Sequence, residues 1–143
     1  MLFHIRRRVL GNRFFTLTQF LQVFTGEGCR QIVNAKIVVD RLNRFSYELG
    51  AAFRDCVSLT EISIPFGVTS IGNHVFSDCS NLTKVSMPSS LTTTGMGTFY
   101  NCINLREVSI PFGILTIEEQ TFRNCSSLTE ISIPSSVTKI GYD

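Results

Sequence analysis

The chain has 143 residues, of which 43% are hydrophobic and 17% charged, with 10 glycines, 4 prolines and 5 cysteines. That is long enough for one domain with a core, and too apolar and weakly charged for a disordered segment. It contains no run of eighteen apolar residues, so it has no sequence-evident spanning helix, and its cysteines are too sparse for a small disulfide scaffold. A net charge of +2 gives no reason to expect a nucleic-acid partner. The charge is uneven: residues 1–55 carry nine basic and four acidic side chains, and residues 56–143 carry four and seven.

Residues 1–48 form a basic and apolar N-terminal region. Leu10, Phe14, Leu17, Leu21 and Phe24 recur at alternating spacings of four and three, the stripe of an amphipathic helix. Gly26 and Gly28 are placed to end it. The structural expectation is a helical cap covering the first turn of whatever follows. Two alternatives compete. Arg6, Arg7, Arg8 and Arg13 precede the first acidic residue, Glu27, as in an organelle-targeting segment, although serine is absent there. The same basic cluster and stripe would also suit an anionic membrane surface, with contact confined to residues 1–24. A secretory signal fits poorly, because Asn12, Arg13 and Gln19 interrupt the apolar stretch. Ile37-Val38-Val39 is read as the strand of a degraded repeat, and Cys29, outside any register, as a free thiol.

From residue 49 onward the sequence repeats. Phe53, Phe76, Phe99 and Phe122 are 23 residues apart, as are Cys56, Cys79, Cys102 and Cys125, and Leu59, Leu82, Leu105 and Leu128. Pro65, Pro88, Pro111 and Pro134 share the same register. The units run 53–75, 76–98, 99–121 and 122–143. In the first, Glu61-Ile62-Ser63-Ile64 alternates as a half-buried strand that Pro65 closes. Val68 and Ile71 before Gly72 mark a second short extended segment. Asp55, Asp78, Asn101 and Asn124 precede the cysteines at positions suited to an Asx-type turn. One such unit cannot bury its own apolar face, but stacked units can. At about 4.8 Å per turn, four make a slab about 20 Å thick.

The run Leu-x-x-Ile-x-Ile-Pro-x-x-Val-x-x-Ile-Gly-x-x-x-Phe-x-x-Cys, carried by residues 59–79, resembles the leucine-rich repeats of the BspA-like, or Treponema pallidum-type, class. Departures are few: Val75 stands where a small residue is usual, Thr94 where Ile is, and Glu118 where Gly is. Leu49-Gly50-Ala51-Ala52-Phe53 is similar to the end of a preceding repeat that lacks one residue. The resemblance implies a β-rich, right-handed solenoid of short parallel strands. It also implies a mostly non-catalytic family associated with adhesion and protein binding, whose members include cell-surface proteins.

Stacking would align Glu61, Lys84, Glu107 and Glu130 in one exposed column and Ser63, Ser86, Ser109 and Ser132 in another. Pro-Phe-Gly alternates with Pro-Ser-Ser, which makes a 46-residue pair the last unit duplicated and puts Phe66 and Phe112 on one rim, about 10 Å apart. These ten residues are the candidate partner-binding surface, and the partner is expected to be an unknown protein. The cysteine ladder reads as small buried filler: its side chains point the same way, and no Cys-x-x-Cys pair converges on a metal. No catalytic constellation, phosphate loop or cofactor motif is recognisable, so no enzyme and no cofactor are expected. Asn81-Leu82-Thr83 and Asn124-Cys125-Ser126 fit the N-glycosylation pattern, which matters only in a secreted chain. Nothing cap-like follows Ile140-Gly141-Tyr142-Asp143, so the expectation is a piece of a longer array or self-association through that edge. The competing functional readings are a structural or vestigial repeat fragment without its own partner, and a surface adhesion protein or one addressed to a membrane or organelle by its N-terminal segment.

Overall fold

A computed structural model describes residues 53–64 and 66–142, together with three strand segments nearer the N-terminus. Those segments are β1 (Val9–Leu10), β2 (Arg13–Phe14) and β3 (Asn34–Lys36). The strands that follow are β4 (Glu61–Ser63), β5 (Lys84–Ser86), β6 (Glu107–Ser109), β7 (Thr116–Ile117) and β8 (Lys139–Ile140).

The main sheet has the order β3-β4-β5-β6 and is parallel throughout. Glu61 lies beside Lys84 and Lys84 beside Glu107; Ile62, Val85 and Val108 align in the same way. A parallel bridge from Ser109 to Ser132 carries the sheet into the next turn. A second, interrupted column runs through the Ser70–Thr93 bridge and the parallel pair β7–β8. Between the two columns the chain turns sharply. Leu91, Ile114 and Val137 each donate a backbone bond to the proline three residues earlier, at 3.0–3.1 Å. Proline suits this place because it has no N–H to lose and its carbonyl still accepts.

Alternation decides what goes inside. In β4 and β5 the central Ile62 and Val85 are buried and their neighbours exposed. Behind them, Leu59, Leu82 and Leu105 are fully buried. The four phenylalanines stand in a single file, with ring centroids 5.3, 5.5 and 5.7 Å apart from Phe53 to Phe122. The file repeats because Phe53, Phe76 and Phe99 each donate their backbone N–H to a carbonyl of the next turn, at 2.9–3.0 Å. Burial thins toward the last described turn: Phe122, Leu128, Ile131 and Val137 are only partly covered, and Ile133 and Ile140 are exposed.

The turn before each cysteine is left-handed. Asp55, Asp78, Asn101 and Asn124 have φ of 60–64°, a region that Asp and Asn tolerate better than other residues with a Cβ. Their side chains link successive turns: Asn101 Nδ2 donates to Asp78 Oδ1 at 2.9 Å, and Asn124 Nδ2 to Asn101 Oδ1 at 3.2 Å. A second left-handed column holds His74, Gly97 and Gln120.

The N-terminal region departs from the sequence reading. The helix expected from Leu10 does not begin there: Val9 pairs with Phe14 and Leu10 with Arg13 in antiparallel register. Gly11 and Asn12 lie between them, residue types that favour a tight hairpin link over a helical turn. No helix occurs among the described residues, and Leu17, Leu21 and Phe24 lie outside them. A strand does precede the regular units, at Asn34–Lys36, where Ala35 takes the place beside Ile62. Ile37, Val38 and Val39 fall outside the described residues, as does Cys29.

Candidate interaction surface

The parallel register brings the eight strand residues of the proposed surface together. Glu61, Ser63, Lys84, Ser86, Glu107, Ser109, Glu130 and Ser132 are all exposed, in two side-by-side columns. Lys84 Nζ donates to Glu107 Oε2 at 2.6 Å. That hydrogen bond, with the charge of Glu107 and more weakly that of Glu61, raises the Lys84 pKa and keeps its ammonium charged. Toward the last turn the column is purely acidic, through Glu107 and Glu130.

Phe66 and Phe112 stand at the rim with 81% and 71% of their surface in water. Neither ring folds over its neighbouring turn. Leu115, not anticipated from the sequence, joins them at 58% exposure. Its signal was a lone apolar residue in a column otherwise held by Thr69, Thr92 and Thr138. The serines of the alternate units divide their work. Ser90 Oγ accepts the Gly67 N–H at 3.0 Å and donates to the Val68 carbonyl at 2.9 Å, and Ser136 Oγ donates to the Ile114 carbonyl. Ser89 and Ser135 remain exposed. Gly67 has φ of 96°, so glycine is required where that clamp closes.

The cysteine ladder is mostly inert. Cys79, Cys102 and Cys125 donate S–H to the carbonyls of Phe53, Phe76 and Phe99 at 3.0–3.2 Å. Burial pushes the Cys79 thiol up to about 12 and the Cys102 thiol up as well, the reverse of what a nucleophile needs. Cys56 corrects the reading of the ladder as uniform filler, because it is disulfide-bonded. The other three donate to a carbonyl 26 residues earlier, whereas the same count from Cys56 reaches Arg30, outside the regular units.

His74 makes one approach to catalytic geometry. Its Nδ1 lies 3.1 Å from Ser77 Oγ, but that hydroxyl donates to the Gly97 carbonyl at 2.8 Å. The proton a general base would remove is therefore committed elsewhere, and the imidazole is the donor. Among the described residues, no group of three or more His, Cys, Asp or Glu is placed to hold a metal ion, and no helix is long and apolar enough to cross a membrane. In the two glycosylation-type sequences, Asn81 Nδ2 donates to the Val57 carbonyl at 2.7 Å and Asn124 Nδ2 to Asn101.

Comparison with known proteins agrees with this geometry. The profile of the BspA-type leucine-rich repeat region matches residues 50–143, in six copies. A leucine-rich repeat protein of T. pallidum superposes with a TM-score of 0.63 at 34% identity, over 64% of this chain and 43% of that one. Leucine-rich repeat proteins from Eubacterium ventriosum and Bacteroides ovatus give TM-scores of 0.61 at 33% and 32% identity, over 64% of this chain and 25% and 24% of theirs. The chain thus spans less than half the length of each of these three structures. No curated protein matches the sequence. With a repeat profile covering the whole stacked region and the same fold in solved relatives, the chain belongs to the BspA-type leucine-rich-repeat family.

Proposed function

We propose that the chain is a non-catalytic protein-interaction module, a right-handed solenoid of 23-residue turns that contacts a protein partner through its exposed strand columns. The observation that carries this reading is the register. Glu61, Lys84, Glu107 and Glu130, with Ser63, Ser86, Ser109 and Ser132, are fixed side by side on a backbone whose inward residues are buried. Such a surface loses little conformational entropy on binding, because its positions are set before the partner arrives. Its polarity suits a partner with donors and basic groups opposite the Glu107–Glu130 end. Phe66 and Phe112 border the surface as apolar anchors. The inert thiols and the committed Ser77 hydroxyl favour a binding role over catalysis.

The test is capture of partners by the full chain from its native cells, compared with Glu107→Lys/Glu130→Lys. The double change leaves the buried core intact and reverses the charge of one end. Loss of specific partners with unchanged thermal melting is expected; an identical set of captured proteins at equal yield rejects the strand face.

A further inference from the structure

The rim that carries Phe66 and Phe112 differs in chemistry from the strand face beside it. No Asp, Glu, Lys, Arg or His occurs at residues 65–70, 88–93, 111–116 or 134–138, the stretches that follow the strand face in each of the four units. Every ionic side chain of the repeats lies elsewhere, yet Phe66, Phe112 and Leu115 are mostly in water. Depletion of charge around exposed aromatic residues is the compositional mark of an interface centre.

The occupant follows from the order of side chains along the rim. Successive turns present Phe66, Ser89, Phe112 and Ser135, large and small in alternation, all exposed. Read from the opposite end, the series is small, large, small, large. We propose that a second copy of this chain docks here, antiparallel, about a two-fold axis passing between the Ser89 and Phe112 turns. Phe66 then lies over the partner's Ser135, and Phe112 over the partner's Ser89, with the reciprocal contacts generated by the same axis. A parallel pairing at the same level opposes Phe to Phe and Ser to Ser, leaving clashes and gaps. The antiparallel one places rings from the two copies alternately along the stack, one per turn, about 4.8 Å apart. The core shows that such a file packs, because Phe53, Phe76, Phe99 and Phe122 stack at 5.3–5.7 Å.

The contact is small. Two mostly exposed phenylalanines and one leucine offer about 400 Å² of apolar surface per copy, below what a permanent dimer buries. The dimer is therefore weak and depends on concentration. It covers Phe66 and Phe112, so the weak dimer and a protein partner compete for those two rings. It does not involve the glutamate columns, so Glu107→Lys/Glu130→Lys leaves it unchanged.

Sedimentation equilibrium of the full chain, from about 5 to 500 μM, reads the association directly. A reversible monomer–dimer equilibrium is expected. Phe66→Ser/Phe112→Ser, which gives every turn the residue of its neighbours, abolishes the dimer without lowering the melting temperature. Ser89→Phe/Ser135→Phe is decisive. It makes the rim more apolar yet fills the gaps that receive the partner's rings, and weakens the dimer about tenfold or more. Tighter association of that variant signals generic stickiness and overturns the proposal. So does a monomer at every concentration, or a dimer that survives loss of both phenylalanines, as association through exposed Ile133 and Ile140 at the last turn would produce.

Discussion

Phe99 offers the sharpest test of whether the ring file holds the repeats together. It is fully buried and stacks on two sides, against Phe76 at 5.5 Å and 4° and against Phe122 at 5.7 Å and 9°. Phe122 has the Phe99 ring on one side and is only partly covered. Removing a buried phenyl ring costs about 3–5 kcal/mol, and each lost ring contact belongs to the upper part of that range. Phe99→Ala is therefore expected to lose about 5 kcal/mol, comparable to the whole stability of a domain this size, and Phe122→Ala about 2 kcal/mol. Phe99→Leu keeps the fold measurable, with a loss of roughly 1–2 kcal/mol from altered shape. Urea titration followed by circular dichroism then moves the midpoint down by about 1 M, given a slope of 1–2 kcal/mol/M. If Phe122→Leu costs as much as Phe99→Leu, the file is not the cohesive element and the reasoning fails.

Three further changes probe other parts of the stack. The Cys79 thiol, raised by burial to about 12 from an ordinary value near 9, stays protonated in the folded chain while the unfolded chain ionises. Stability is therefore complete below pH 9 and falls between pH 9 and 12, by up to about 1.4 kcal/mol per pH unit from this group. Urea midpoints measured from pH 8 to 11 should show a shallower decline in Cys79→Ala, and equal slopes contradict the assignment. Gly97→Ala puts a Cβ at φ 59° and into the His74 ring. A loss of about 1–2 kcal/mol is expected, with partial recovery when His74→Ala is added; a neutral single change refutes the contact. Asn101 combines φ of 64° with side-chain bonds to Asp78 and Asn124. Asn101→Ala should melt several degrees below Asn101→Gly, since glycine restores the backbone freedom but neither bond; the reverse order contradicts a left-handed turn.

The parts of the fold that the sequence made legible are those where one register governs many residues. Ile62, Val85 and Val108, the Phe file and the exposed Glu–Ser columns all follow from a spacing of 23, because a parallel stack converts equal spacing into adjacency. Where that register stops, local evidence misled. The stripe from Leu10 satisfied helical spacing, but Gly11 and Asn12 inside it favour a turn, and Val9–Leu10 pairs with Arg13–Phe14. The strand at Asn34–Lys36 has small Ala35 in register with Ile62, so hydrophobicity gives no guide to it. Cys56 looked like its three successors, and only the absence of a regular unit before it distinguishes its chemistry. Of the surface, the shared rim of Phe66 and Phe112 is legible in their 46-residue spacing. Ser90 was not separable from Ser89 by type, because one points at Gly67 and the other at water.

The Gly67–Ser90 clamp restricts how this chain can lengthen or shorten over evolutionary time. At Gly67 a turn at φ 96° is closed by the Ser90 hydroxyl of the next turn, which also donates to the Val68 carbonyl; in the second pair Ser136 Oγ donates to the Ile114 carbonyl in the same way. Deleting or inserting one turn sets two glycine turns, or two serine turns, side by side and leaves a clamp without its mate. Changes by two turns keep each serine opposite the carbonyl it serves. Viable length variants should therefore differ from one another by multiples of 46 residues, even though the backbone itself would accept steps half that size.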